Sequence, residues 1–299
     1  MTLVVRRVGP ESAALVLSVV QQAFGARPPL DPPADALSED LDSIGRLLGR
    51  RGGLLATLDG VPAGCLVLDP EPEGLMLRRF GVTPAAQGQG VAGALVDAAH
   101  RSAVGRAALV VVARRELPET VAFWERHGFV EHSRQGSGVV LHHDLDRSFD
   151  ATGADDMRGL GERLGHSLVA GDLVVLTGEL GAGKTTFTQG LGTGLGVRGA
   201  VTSPTFVIAR VHPSLVAGPD LVHVDAYRLG GLAELDDLDL DTSLESAVTV
   251  VEWGAGLAEG LAASWLEVTI ERSLGIDPLA TATDKIDPRR VSMRWVVGL

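Results

Sequence analysis

The segment Gly178-Glu-Leu-Gly-Ala-Gly-Lys-Thr-Thr186 concentrates more chemistry than any other stretch of the chain. Its spacing fits G-x-x-x-x-G-K-[ST], the pattern of a loop that cradles phosphates. Gly178, Gly181 and Gly183 let the backbone turn tightly and aim successive N–H groups at phosphate oxygens. Lys184, one of only two lysines in 299 residues, brings a point charge toward a β- or γ-phosphate. The hydroxyl of Thr185 is the expected Mg²⁺ ligand, and the helix that starts here offers its N-terminal dipole to the same anion. The expected nucleotide contacts are Gly178, Glu179, Gly181, Ala182, Gly183, Lys184, Thr185 and Thr186. Glycine-rich turns are common, but lysine is so rare in this composition that a chance match is on the order of a few in a thousand. The motif implies ATP and Mg²⁺.

Three further segments carry groups that suit phosphate chemistry. In Val201-Thr-Ser-Pro-Thr-Phe206, Pro204 stiffens the backbone, and the hydroxyls of Ser203 and Thr205 are placed to reach a γ-phosphate or Mg²⁺; alone, the segment is also an ordinary turn. Leu221-Val-His-Val-Asp225 is an apolar strand ending in a carboxylate, the arrangement that presents an Mg²⁺-associated acid in the crevice beside a phosphate loop. Val248-Thr-Val-Val-Glu252 repeats it. Glu252 is a candidate to orient the attacking water or to hold Mg²⁺ through water. Trp253 fits either a core position or a cover on the nucleotide site. Lys184, Asp225 and Glu252 are thus the catalytic candidates, and Thr185, Asp225 and Glu252 the metal candidates.

A second glycine-rich turn, Gln87-Gly-Gln-Gly-Val-Ala92, follows a strand-like run and opens a helix. Gln87, Gly88, Gly90 and Ala92 form a second candidate anion cradle, here for a pyrophosphate. The single cysteine, Cys65, lies in an apolar run and reads as a buried structural thiol. His142 and His143 are consecutive on a strand and would face opposite sides, which argues against a metal pair.

The elements that must position these groups alternate between strand and helix patterns. Strands are expected at 3–8, 53–58, 63–69, 75–82, 108–113 and 139–145, with helices at 10–24, 37–50, 90–104 and 118–127. Asp59-Gly60 marks a hairpin. The pattern breaks around 146–155. It resumes with a helix at 157–170, a strand at 173–177, the phosphate loop and its helix, a loop over 212–220, strands at 221–225 and 247–252, and a strand pair at 266–271 and 291–296. A loop is expected over 273–290. The fold class is α/β, in two domains, 1–147 and 148–299, a division that the length also suits.

Composition narrows the partners. Residues 1–150 hold 15 basic and 18 acidic side chains, a net of −3; residues 151–299 hold 11 and 20, a net of −9. A surface that binds nucleic acid directly carries a basic stripe. The second half has the reverse, so any nucleic acid is expected to be held by a partner. One cysteine excludes an internal disulfide, and neither a membrane span nor a signal peptide is expected, which makes the cytoplasm the default location.

In this order and spacing, Gly-Glu-Leu-Gly-Ala-Gly-Lys-Thr-Thr, Ser-Pro-Thr-Phe, His-Val-Asp-Ala-Tyr-Arg-Leu and Val-Glu-Trp-Gly resemble the TsaE family, small ATPases of bacterial tRNA threonylcarbamoyladenosine synthesis. The resemblance covers about 153–299, including an acidic stretch at 233–245. It implies ATP hydrolysis while docked on TsaD and TsaB, which transfer the threonylcarbamoyl group to tRNA; tRNA contact would then be indirect. Met157 departs from the family's usual Thr on the adenine side of the pocket.

The Gln87 turn, with Val121-Ala-Phe-Trp-Glu-Arg-His-Gly-Phe129, resembles the GNAT acyltransferases, whose loop binds the pyrophosphate of acetyl-CoA. Here the departures are larger. Trp124 stands where related enzymes carry a tyrosine general acid, Leu117 where they carry an asparagine, and Val112 where they carry a glutamate base. Glu71, Glu73 and Glu116 remain as candidate bases, with no acceptor indicated.

Overall fold

Hydrophobic patterning separates two kinds of sheet in the computed structural model, which describes residues 1–72, 74–216, 218–228, 245–272 and 288–298. The chain divides into two compact units, Met1–Ala103 with Ala107–Leu145, and Val104–Arg106 with Asp146–Leu299. Both are α/β.

The first unit runs β1 (Leu3–Val8), α1 (Ala13–Gly25), α2 (Leu41–Arg51), β2 (Gly53–Leu58), β3 (Val61–Glu71), β4 (Gly74–Val82), α3 (Val91–Arg101), β5 (Ala108–Arg114), α4 (Pro118–Arg126), β6 (Val130–Gln135) and β7 (Gly138–Asp144). Among the described residues the sheet order is β1-β2-β3-β4-β5-β7-β6. The hairpin expected at Asp59-Gly60 is present: both residues have positive φ, 47° and 82°, and Leu58 pairs with Val61. That geometry matches the right-handed twist of the flanking strands. Asp40 and Ser43 form a reciprocal capping box at the start of α2. Among the described residues the parallel pair β4–β5 is held at two positions, Leu75 with Leu109 and Met76 with Val110.

The second unit runs β8 (Ser148–Ala151), α5 (Ala154–Gly165), β9 (Leu173–Gly178), α6 (Lys184–Leu195), β10 (Ala209–His212), β11 (Asp220–Asp225), β12 (Ala247–Glu252), β13 (Ser264–Arg272) and β14 (Arg289–Val297). The order is β10-β11-β12-β9-β13-β14-β8, with β11, β12, β9 and β13 mutually parallel. A parallel strand covered on both faces needs a continuous apolar run, and β12 is buried throughout. The phosphate loop therefore leaves the middle of a parallel sheet.

Three strands differ from the sequence expectation. β6, Val-Glu-His-Ser-Arg-Gln, is a mostly exposed edge strand with no apolar alternation. β8 has four residues and pairs with β14 inside the segment where the pattern breaks. β10 pairs antiparallel with β11 across the expected loop. Edge strands lack the two-sided burial that makes a strand visible in sequence. Residues 233–244 of the acidic stretch, 273–287 of the expected loop, and Glu73 lie outside the described residues.

Helices α5 and α6 meet backbone to backbone. A Cβ built on Gly190 would stand 1.9 Å from the Arg158 carbonyl oxygen, and one on Gly161 2.1 Å from that of Phe187. Both neighbours are backbone and cannot swing aside. Gly190→Ala is expected to lower stability by about 1–3 kcal/mol. An unchanged thermal midpoint would contradict the close approach.

Burial also makes the fold acid-sensitive. His212 and His100 both sit below the ordinary imidazole pKa, chiefly because burial penalises the charged ring. The unfolded chain takes up these protons first as pH falls below about 6.5. The contribution is complete above that pH and is lost as pH falls through the lower folded-state values. The thermal midpoint is expected to hold between pH 8 and 7 and to drop between 6.5 and 5, and His212→Gln should flatten part of that drop. An equal drop in the variant would remove His212 from the account.

No helix among the described residues is long and apolar enough to cross a membrane. Cys65 is fully buried, and burial pushes its thiol up to about 12, which suits packing and not nucleophilic chemistry.

Candidate functional site

The carboxyl ends of β11, β12 and β9 lie side by side. Asp225 is in register with Glu252, and Glu252 with Leu176, two residues before the phosphate loop. This is the crevice where open α/β sheets take ligands. Gly178, Gly181 and Gly183 have φ of 158°, 76° and 107°, so the loop follows a path that side chains resist. α6 starts at Lys184 with no side-chain cap on its N-terminus. Its first N–H groups are therefore available to an anion.

Lys184 is buried, and its Nζ donates to the carbonyls of Gly178 (2.8 Å) and Glu179 (3.0 Å). Burial holds the ammonium below the usual lysine range, while Glu252 and Asp225 act in the opposite direction. Trp253 lies over it, with Nζ 3.7 Å from the ring centroid. Trp253 sits at a φ of 61°, a conformation unusual for a bulky residue, and its amide donates to Leu176. Tyr227 packs on its ring at 5.2 Å. The aromatic residue thus covers the cation of the phosphate loop.

Two carboxylates are held by hydroxyl and imidazole donors. Thr185 Oγ1 donates to Glu252 Oε1 and Oε2 at 3.1 and 3.3 Å. His223, fully buried, donates from Nε2 to Glu252 Oε1 at 2.8 Å, because a carboxylate can only accept. Asp225 Oδ2 accepts from Thr205 Oγ1 at 2.5 Å and from Ser203 Oγ at 3.2 Å, and its Oδ1 accepts from the Tyr227 amide. The Ser-Pro-Thr segment expected to reach phosphate or metal is therefore joined to Asp225. Arg228 lies over the ring of exposed Phe206, 4.9 Å from its centroid. Met157 is buried beneath Gly183, 3.4 Å from where a Cβ would stand, which makes it part of the loop's floor. Sequence reasoning assigns His223 no role, although it opens the His-Val-Asp-Ala-Tyr-Arg-Leu segment; β11 is buried continuously from Leu221 to Asp225, so burial does not mark it out either.

A family model described as "Threonylcarbamoyl adenosine biosynthesis protein TsaE" matches residues 151–276. The tRNA threonylcarbamoyladenosine biosynthesis protein TsaE of Streptomyces coelicolor is 69% identical over 120 residues, 40% of this chain and 81% of that protein. The chain belongs to the TsaE family. The protein of the same description from Mycobacterium tuberculosis H37Rv is 54% identical over 125 residues, 40% of this chain and 74% of that protein. The TsaE portion is the second half. A model described as "Acetyltransferase (GNAT) domain" matches residues 50–131, and the first half has the GNAT fold.

In that half, Gly88 and Gly90 have φ of 73° and 80°, and Gly90 precedes α3 at its N-cap, where no side chain caps the helix. Nothing stands within 4 Å of a Cβ at either position, so glycine is required by backbone sign and not by space. Gln87 is exposed and Ala92 lies in the first turn of α3. Trp124 is buried in the core, 4.7 Å from the Phe80 ring and 4.9 Å from that of Phe129. Glu71 pairs with Arg78, and Glu116 with Arg114. The Arg114 hydrogen bond holds Glu116 below the ordinary carboxylate range, the wrong direction for a general base at neutral pH. His142 stacks on His132 and His143 meets His100 edge-on, so the two do face different neighbours.

Proposed function

We propose that the second half hydrolyses ATP as a subunit of the machinery that makes N6-threonylcarbamoyladenosine in tRNA, docked on TsaD- and TsaB-like partners. The observation that carries this reading is the convergence of Lys184, Thr185, Asp225 and Glu252 at the mouth of one uncapped phosphate loop. The net charge of −9 over 151–299 supports indirect contact with tRNA.

The donor set suits Mg²⁺, which takes hard oxygen ligands and binds through one or two carboxylates plus substrate phosphates. Among the described residues no three His, Cys, Asp or Glu side chains gather into a self-sufficient metal site. Thr185, Asp225 and Glu252 would hold the ion together with the nucleotide. When bound, it would offset charge building on the phosphate oxygens. Lys184 leaves the loop carbonyls for the β- and γ-phosphates. Glu252, its orientation fixed by Thr185 and His223, accepts a hydrogen bond from water and aims it at the γ-phosphorus. The water oxygen bonds to phosphorus, the bond to the β,γ-bridging oxygen breaks, and ADP departs with the electron pair. The water proton passes to Glu252 or to the released phosphate.

Purified full-length protein should turn ATP over slowly alone and at least about tenfold faster with a TsaD–TsaB pair. Absence of turnover in both conditions would overturn the reading.

For the first half, the Gln87–Ala92 cradle supports binding of acetyl-CoA. The burial of Trp124, with Val112 and Leu117 in place of polar groups, favours a second reading in which this half binds without chemistry. Acetyl transfer to a panel of amines and peptide N-termini distinguishes the two.

A further inference from the structure

Beyond their two shared positions, β4 and β5 separate, and a cavity of about 300 Å³ opens between them. Met76, Phe80, Val111, Leu117 and Trp124 give it an apolar lining. The arginines that line it are mostly satisfied internally. Arg78 pairs with Asp69 and Glu71, Arg79 with Glu39, and Arg114 with Glu116 and the carbonyls of Asp31 and Pro32.

Arg27 differs. Among the described residues, the guanidinium's hydrogen bond runs from Nη2 to the Phe80 carbonyl at 3.1 Å, and the group lies 3.8 Å over the Phe24 ring. No carboxylate pairs with it among those residues, and burial alone holds it below the usual arginine range. A guanidinium carries five donors in a fork that matches a carboxylate, and it stays charged. Asp35, the acidic side chain in the lining, is exposed to water and forms no ion pair or hydrogen bond with Arg27. Arg27 is partly buried, and a cation in that setting with no counter-charge gains from a ligand that supplies one.

We infer that the cleft between β4 and β5 recognises a carboxylate, and that Arg27 is the group that pairs with it. The carboxylate arrives on the acyl group of a CoA thioester or on the molecule that meets it from the α1 side. The inference rests on the reading of this half as a CoA-binding domain.

Calorimetry on the full-length protein tests it in two arms. The first compares succinyl-CoA with acetyl-CoA. The second, with CoA saturating, compares L-leucine and L-phenylalanine with their amides. In one arm the carboxylate form is expected to bind at least about tenfold tighter, and that arm identifies the source. Arg27→Met should remove the preference, and Arg27→Lys should keep part of it. Acetyl-CoA binding with no preference in either arm overturns the inference and leaves the CoA reading standing. A carboxylate preference without binding of any CoA compound overturns the CoA reading and leaves the inference standing. No binding in either arm defeats both. A preference that survives in a folded Arg27→Met protein, checked by its thermal midpoint, overturns the assignment to Arg27; if that variant does not fold, a preference in Arg27→Lys undiminished from that of the unmodified protein overturns it instead.

Discussion

Lys184→Ala is expected to lower ATP turnover at least about a hundredfold, or ~2.7 kcal/mol of transition-state stabilisation. The ammonium is buried at the mouth of α6, with loop carbonyls and an aromatic face as partners. Each of these interactions is weaker than a charge-assisted bond to a phosphate. A triphosphate in the loop therefore gains from Lys184 most strongly where negative charge builds during transfer. Removing the side chain leaves the glycines and the N-terminus of α6 in place, so nucleotide binding should weaken less than turnover falls. Turnover within a fewfold of the unmodified protein would remove Lys184 from the site.

Glu252→Gln is the second large effect, with turnover falling by about 10²-fold while nucleotide binding stays within a fewfold. The carboxylate accepts from Thr185 and from His223. An amide can still accept from one of these donors but turns its own N–H₂ toward the other. It also loses the charge needed to align water or take up its proton. If binding and turnover fall together, Glu252 acts mainly in holding the nucleotide and its metal. If neither changes, the carboxylate has no part in the reaction. Monitoring both quantities in one preparation separates these outcomes.

Much of this site was legible in sequence because its parts are local. A glycine-rich loop before a lysine, and two apolar strands each ending in an acid, are visible within windows of ten residues. What joins them was not. The bond from His223 to Glu252 depends on the register between β11 and β12, where His223 lies opposite Val250 and Asp225 opposite Glu252. The grip of Ser203 and Thr205 on Asp225 depends on how a loop returns over the sheet. The placing of Trp253 over Lys184 depends on one left-handed residue after β12. None of these has a signature in spacing.

The fold shows the same division. Buried strands such as β9 and β12 are continuous apolar runs and stand out. The edge strands β6, β8 and β10 do not, since one or both faces meet water. In the first half, the substitution of Trp124 for a tyrosine was visible in the sequence, but its burial against Phe80 and Phe129 was not. Likewise Arg27 carried no motif. Its interest comes from what the folded chain fails to place beside it.

ATP turnover in the second half is proposed to serve tRNA modification. The most direct measurement is the threonylcarbamoyladenosine content of tRNA from cells depleted of their own TsaE and supplied with this chain. The chain as it stands should restore the modified nucleoside, and Lys184→Ala, expressed to the same level, should not. Equal restoration by both, or none by either when the protein is folded and turns ATP over, would contradict the account.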